Sequence, residues 1–214
     1  MDRRRFMGTV ASGLLAAPLA AEAQQAAKVP RIGYLSINVA GGPYMTEGFR
    51  QGLRDLGYVE GRNVLIEFRD AEGKLERLLA LAAELVALKV DVIVVGGTVA
   101  AVAAKQATKT VPIVFVSAVD PVTDGLVASL ARPEGNVTGL ATLAPELVGK
   151  RLEQLKQIAP GVTQVAVLWQ PGALGPRTER DLRKEAEGAA RTLGLRFNSL
   201  KSGGQAISKG PSRT

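Results

Sequence analysis

The residues best suited to chemistry in this sequence lie in three short segments, each of which follows a run of apolar residues. The first segment begins at Ser36, the second is Gly96-Gly97-Thr98, and the third runs from Ser117 to Asp120. Serine and threonine hydroxyls donate and accept hydrogen bonds, and an aspartate carboxylate can pair with an ammonium group. These groups suit the binding of a small polar molecule.

The Gly96-Gly97-Thr98 segment has two interpretations. Two glycines allow the backbone to approach a ligand closely, and Thr98 can cap the next helix, whose free N–H groups attract a carboxylate or another anion. The alternative is an ordinary turn and helix cap, which any strand–helix connection needs. The segment lacks the spacing of a phosphate-binding loop and of a dinucleotide-binding fingerprint.

The remaining candidates also have structural alternatives. Ser36, Ser117 and Asp120 are common turn formers, although their shared position at strand ends favours a binding role. Tyr44, at the start of a predicted helix, can close over a ligand or pack at the helix start. We therefore predict a ligand-binding set of Ser36, Tyr44, Gly97, Thr98, Ser117 and Asp120.

The elements that position these residues alternate between strand and helix. Continuous apolar strands such as Val90–Val95 are typical of parallel sheets buried on both faces. Ligands of such sheets bind beyond the carboxyl ends of the strands. The order predicts an α/β fold with a doubly wound parallel sheet. Strands are predicted at 31–36, 64–68, 90–95, 113–117 and 136–140, and helices at 43–56, 74–88, 99–108 and 123–130.

A second α/β unit is predicted to begin near residue 145 and to reach only a few elements. Its helices are expected at 146–158 and 177–193, and its strands at 164–169 and 195–200. We divide the chain into a first lobe at 24–144, a partial second lobe at 145–200 and a tail at 201–214. The tail is polar and rich in Gly and Ser, a composition typical of disorder.

Residues 1–23 have the layout of an export signal. Arg3-Arg4-Arg5 precedes an apolar stretch from Val10 to Ala21, and Ala21-Glu22-Ala23 resembles a cleavage site. The apolar stretch is shorter than the roughly 20 residues that a membrane span needs. Arg3-Arg4 with Phe6 suggests the twin-arginine route, and an ordinary Sec signal is the alternative. We expect a periplasmic protein.

The composition excludes several classes of active site. With no Cys and no His among 214 residues, thiolate catalysis, Cys/His zinc sites and Ser-His-Asp triads are excluded. No nucleophile–base set favours an enzyme, and no cofactor is expected. The net charge of +7 is dispersed, and aromatics make up 4%, so nucleic-acid binding is not expected.

The sequence contains the runs FRQGLRDLGYVEGRNV at 49–64, VASLARPEGNVTG at 127–139 and GKRLE at 149–153. These runs resemble the TrpX-like group of ABC-transporter substrate-binding proteins. The resemblance implies a type I periplasmic-binding fold, in which two α/β lobes close on a small ligand, an amino acid among the candidates. The closed form would dock on the membrane permease subunits. A periplasmic ligand-sensing module that signals to a membrane receptor is the alternative.

The sequence departs from this family in its length. Relatives are roughly half as long again, with a complete second lobe, and the polar tail resembles nothing in them. We hypothesise a frameshift or a premature end near residue 200. A genomic read without the missing lobe in another frame just downstream would count against this.

Overall fold

A five-stranded parallel sheet forms the larger part of the structure. The computed structural model describes residues 28–39, 43–142 and 147–201, so the predicted export signal and the tail beyond residue 201 lie outside the described residues. Every strand pair in this sheet is parallel, and the order is β2-β1-β3-β4-β5. The strands are β1 Arg31–Ser36, β2 Leu65–Asp70, β3 Val92–Gly96, β4 Ile113–Val119 and β5 Val137–Thr142.

Helices cover both faces of this sheet. Helix α2 (Leu78–Ala87), which follows a single 3-10 turn at Leu75–Arg77, and α3 (Thr98–Ala107) pack together on one face, where Leu85 lies against Gly33. Helix α1 (Pro43–Asp55) lies on the other face, where the Phe49 ring is 5.1 Å from that of Tyr34. The prediction of a doubly wound parallel α/β sheet is therefore confirmed.

The core lies between the sheet and the α2–α3 layer. Leu35, Ile93, Val95 and Ile113 from the strands are fully buried. The small residues of α3, among them Ala100 and Ala104, are also fully buried and allow this helix to approach the sheet closely. Such burial contributes about 25 cal/mol per Å² of apolar surface, so the core stabilises the frame on which the strand ends are held.

Asp91 fixes the amino ends of the central strands. Its carboxylate pairs with the Lys28 ammonium group and accepts a hydrogen bond of 2.8 Å from the backbone N–H of Arg31. The hydrogen bond from Lys28, followed by that from Arg31, holds the pKa of the Asp91 carboxyl below its usual range. The Arg31 guanidinium in turn donates to the carbonyl of Leu88, at the end of α2.

The predicted helix at 123–130 is wrong. The segment between β4 and β5 forms successive turns, in which the N–H groups of Leu126 and Val127 both donate to the carbonyl of Pro121. The Asp120 carboxylate accepts a hydrogen bond from the N–H of Thr123, which closes the first turn. Gly125 adopts a φ of 71°, outside the right-handed helical range, and this ends the helical turn.

The second unit is a strand–helix–strand motif with one helix before it. Its two parallel strands are β6 (Gln164–Trp169) and β7 (Arg196–Lys201). Helix α4 (Val148–Ile158) packs against α5 (Pro176–Thr192). A small cluster of Leu152, Ala190 and Leu195, with Val165 and Phe197 against it, forms its core. None of the helices in the described ranges is long and apolar enough to cross a membrane.

Candidate functional site

The strand order defines where a ligand can bind. Strand β1 has β2 as its neighbour on one side and β3 on the other. The chain therefore leaves β1 towards one edge of the sheet and leaves β3 towards the opposite edge, where β4 lies. The loops that leave β1 and β3 at their carboxyl ends therefore diverge and leave a crevice. In open parallel sheets this switch point is where ligands bind.

A cavity of about 260 Å³ lies at this switch point. Its volume is slightly below the roughly 300–1,000 Å³ that is typical of small-molecule sites. The lining combines apolar side chains with hydroxyls, an amide and glycine backbone. The lining residues are Tyr34, Ser36, Ile37, Asn38, Met45, Thr46, Gly96, Gly97 and Ser117.

Three predicted site residues meet in this cavity: Ser36 at the end of β1, Gly97 after β3 and Ser117 in β4. Ser117 has a φ of 60°, and the β4–β5 register shifts between Val116 and Ala118. This bulge interrupts the alternation of the strand and leaves Ser117 exposed. Non-glycine residues with positive φ are costly, and such strain is found disproportionately at binding sites.

Gly97 lines the cavity and is the N-cap residue of α3, whereas Thr98 does neither. The N–H of Gly97 donates to the carbonyl of Val116 at 2.8 Å. Thr98 is the first residue of the helix and is almost fully buried. Its hydroxyl accepts a hydrogen bond of 3.0 Å from the N–H of Val119, so the predicted capping role of Thr98 is wrong. Thr98 instead ties α3 to the end of β4.

Tyr34 contributes an aromatic wall to the cavity. Its ring packs against Phe49 and Phe68, at centroid distances of 5.1 and 5.3 Å, and the Arg50 guanidinium lies 4.6 Å from the Phe68 ring. Burial raises the pKa of the Tyr34 phenol, and its hydrogen bond with the Thr46 side chain partly opposes this shift. The phenol therefore stays neutral at physiological pH.

The loop after β1 is held in place by β2. The Asp70 carboxylate, at the end of β2, accepts hydrogen bonds from the N–H groups of Val39 and Glu72. The carbonyl of Ile37 accepts one of 2.7 Å from Gly73. These bonds position the part of the lining that includes Ile37 and Asn38.

Two predicted site residues lie apart from the cavity lining. Tyr44 is 74% exposed, at the start of α1. The Asp120 carboxylate is engaged in its own turn with Thr123. The structure thus brings together Ser36, Gly97 and Ser117, but not Tyr44, Thr98 or Asp120.

Sequence reasoning missed Tyr34, Met45 and Thr46 as lining residues. For Tyr34 the signal was available, because residues two apart in a strand point to the same face and Tyr34 stands two before Ser36. Met45 and Thr46 lie in the first turn of α1. Their approach to the strand ends depends on how α1 packs, which no local pattern encodes.

The family described as ABC transporter substrate binding protein matches residues 40–195 of the sequence. This chain belongs to the ABC transporter substrate-binding protein family. The family prediction made from the sequence is therefore confirmed. The matched range runs from the residues before α1 to just past the end of α5 and includes five of the nine lining residues of the cavity.

Individual relatives agree with this assignment. A tyrosine-binding protein of Clostridioides difficile (strain R20291) is 33% identical over 135 residues, which is 63% of this chain and 39% of that protein. A conserved domain protein of Vibrio cholerae has a TM-score of 0.73 and 31% identity over 82% of this chain. A pneumococcal ABC domain solved in complex with L-Trp has a TM-score of 0.70 and 26% identity over 80% of this chain.

This substrate-binding protein has the type I periplasmic-binding fold of these neighbours, as predicted. A leucine-binding protein from Thermotoga maritima, at 16% identity and a TM-score of 0.61, shows the same fold. The chain spans 58% and 57% of the Vibrio and pneumococcal structures.

Proposed function

We propose that this protein is the exported solute-binding component of an ABC-type uptake transporter. It binds a small molecule at the carboxyl ends of β1, β3 and β4 and presents it to membrane permease subunits. The observation that carries the proposal is the cavity at the switch point of the sheet, in a chain of the substrate-binding family. The family match favours uptake over the sensing alternative.

We infer that the ligand is an amino acid with an aromatic side chain. The Tyr34 ring, with Ile37 and Met45, offers an apolar wall for such a side chain. The hydroxyls of Ser36 and Ser117 offer hydrogen-bond partners for its polar end. The names of two relatives, a tyrosine-binding protein and a domain bound to L-Trp, support the same class.

The second α/β unit supplies the opposite wall when the protein closes on its ligand. Tyr44 on the exposed start of α1 and Asp120 at the end of β4 are rim positions that closure would bring to the ligand. Thr98 supports the site through its bond with Val119. Export to the periplasm by the signal at 1–23 gives the protein access to nutrients and to the outer face of the permease.

Thermal unfolding of the full chain tests this function. L-tyrosine and L-tryptophan are compared with two matched analogues, tyramine, which lacks the carboxylate, and 3-(4-hydroxyphenyl)propanoate, which lacks the amine. A specific ligand at 100 times its Kd stabilises the folded state by about 2.7 kcal/mol, or several degrees in Tm. We expect this rise with the amino acids and a smaller one with either analogue. A cooperative unfolding transition whose Tm none of the compounds raises would contradict the proposal.

A further inference from the structure

The amino end of α5 receives its cap from a distant part of the chain. A helix begins with N–H groups that have no partner within the helix. The N-cap position of α5 is Gly175, which has no side chain to fill this role. The acceptor comes from Asp124, in the turns that follow β4.

Two hydrogen bonds join the half-buried Asp124 carboxylate to α5. The Thr178 hydroxyl donates to Oδ2 of Asp124 at 2.7 Å, and the Thr178 N–H donates to Oδ1 at 3.5 Å. Thr178 is fully buried. A hydrogen bond to a charged acceptor is stronger than one between neutral groups, and the positive end of the helix dipole favours the carboxylate further.

The Asp124 carboxyl group lies very close to the backbone of Gly175 at the start of α5. A Cβ atom at this position would lie 2.1 Å from the Asp124 carboxyl group, far inside van der Waals contact. A side chain at this position would force the carboxylate away from the helix end. The sequence of α5 is thus fitted to Asp124 at two positions, Gly175 and Thr178.

Asp124 is itself tied to the helix that begins at the cavity. The Lys105 ammonium group, on α3, donates to the carbonyls of Gly125 and Leu126 at 2.6 and 3.0 Å. At its other end α3 starts beside Gly97, which lines the cavity, and Thr98 bonds to Val119. A continuous set of contacts therefore runs from the cavity through α3 and Asp124 to α5.

We propose that Asp124 and Thr178 form a positioning pair that fixes the second α/β unit relative to the sheet edge carrying the cavity, and thereby sets ligand affinity. The effect on affinity rests on the proposed function, whereas the effect on the arrangement of the two units does not. A ligand that needs both walls binds more weakly when the competent arrangement is less populated. Neither residue needs to touch the ligand.

The arrangement of the two units can be measured directly, because the chain has no native Cys. Spin labels on cysteines at the exposed positions Lys109 and Glu187 report the distance between the units by pulsed electron paramagnetic resonance. We expect a narrow distribution in the labelled parent chain and broad ones in Asp124→Ala and Thr178→Val. Thr178→Ser, which keeps the hydroxyl, should restore the narrow distribution, and Asp181→Asn on the exposed face of α5 should leave it unchanged.

Calorimetric titration with L-tyrosine supplies the second measurement. In a chain that binds L-tyrosine, Asp124→Ala and Thr178→Val should each weaken binding about tenfold or more, and the double variant should weaken it by little more than either alone. If Asp124→Ala or Thr178→Val fails to fold, Gly175→Ala replaces it. The added Cβ displaces the Asp124 carboxylate from Thr178 without removing it.

The two measurements fail in different ways. Unchanged distance distributions in Asp124→Ala, Thr178→Val and Gly175→Ala would overturn the positioning pair. Broadened distributions with unchanged L-tyrosine affinity would overturn its link to the ligand. If the parent chain does not bind L-tyrosine, the proposed ligand is wrong, and the distance measurement still decides whether the pair positions the units.

Discussion

At the scale of single residues, Ser117 combines backbone strain with a position in the cavity. Its φ of 60° is costly for a residue with a Cβ, and its side chain is exposed at the strand ends. Ser117→Gly removes the strain and the hydroxyl together. We expect the free energy of unfolding to be unchanged or to rise by up to ~1 kcal/mol in chemical denaturation, because relief of strain offsets the entropy cost of glycine. Ligand binding should weaken about three- to tenfold, the loss expected for one hydrogen bond.

Glu134→Gly is the matched control for this prediction. Glu134 has a φ of 55° and is exposed, in the turn before β5 and outside the cavity lining. It should gain comparable stability with no change in ligand affinity. Equal affinities for the parent chain and Ser117→Gly would remove Ser117 from the binding site.

The site residues that sequence reasoning found are those fixed by the strand-end rule. Ser36 ends β1, Gly97 follows β3, and Ser117 lies two residues before the end of β4, so the parallel order brings them to one edge. Thr98 and Asp120 obey the same rule, but their polar atoms bond to Val119 and Thr123. Which strand-end groups stay available depends on local hydrogen bonds that residue types do not reveal.

At the scale of elements, the contact of β5 with β4 depends on a glycine. A Cβ at Gly139 would lie 2.0 Å from the backbone oxygen of Phe115 and 2.7 Å from its ring. The oxygen belongs to a central strand and cannot move aside without disturbing the sheet. Gly139→Ala should therefore lower the free energy of unfolding by about 3 kcal/mol, the upper range for overpacked cores, as measured by urea denaturation.

A second glycine-to-alanine substitution serves as the control, because it changes the backbone entropy without creating a clash like that between Gly139 and Phe115. Gly52 lies exposed in α1, and a Cβ added there would meet no other atom within 4 Å. Gly52→Ala should therefore raise stability by about 0.5–1 kcal/mol. A loss of under ~1 kcal/mol in Gly139→Ala would show that β5 yields easily and does not hold the edge of the sheet.

The elements were predicted well where apolar periodicity was strong. Strands β1 to β4 and helices α1 to α3 lie within a few residues of their predicted positions. The helix expected at 123–130 does not form, because Gly125 adopts a φ of 71° and the Asp124 carboxylate bonds to Thr178 of α5. The contact between Asp124 and Thr178 spans 54 residues, beyond the reach of any local pattern.

At the scale of the whole molecule, the sheet order explains why cavity-lining groups from distant segments converge. The crossovers on opposite faces force the loops after β1 and β3 apart, and the bulge in β4 turns Ser117 towards the resulting crevice. The strand–helix alternation predicted the parallel sheet, and the family resemblance predicted the type I fold. The Tyr34 ring that lines the cavity is held by Phe49 and Phe68, which meet it only when α1 and β2 pack beside β1.

The central claim, that the cavity at the switch point holds an amino acid, is tested most directly by amide chemical shifts. In a titration of the isotope-labelled chain with L-tyrosine, we predict saturable shifts for the amides of Gly97 and Ser117. The amides of Gly57 and Gly61, which precede β2 at the amino ends of the strands, should remain unmoved. Cavity amides that do not respond to L-tyrosine or L-tryptophan, or saturable shifts confined to another surface, would contradict the account.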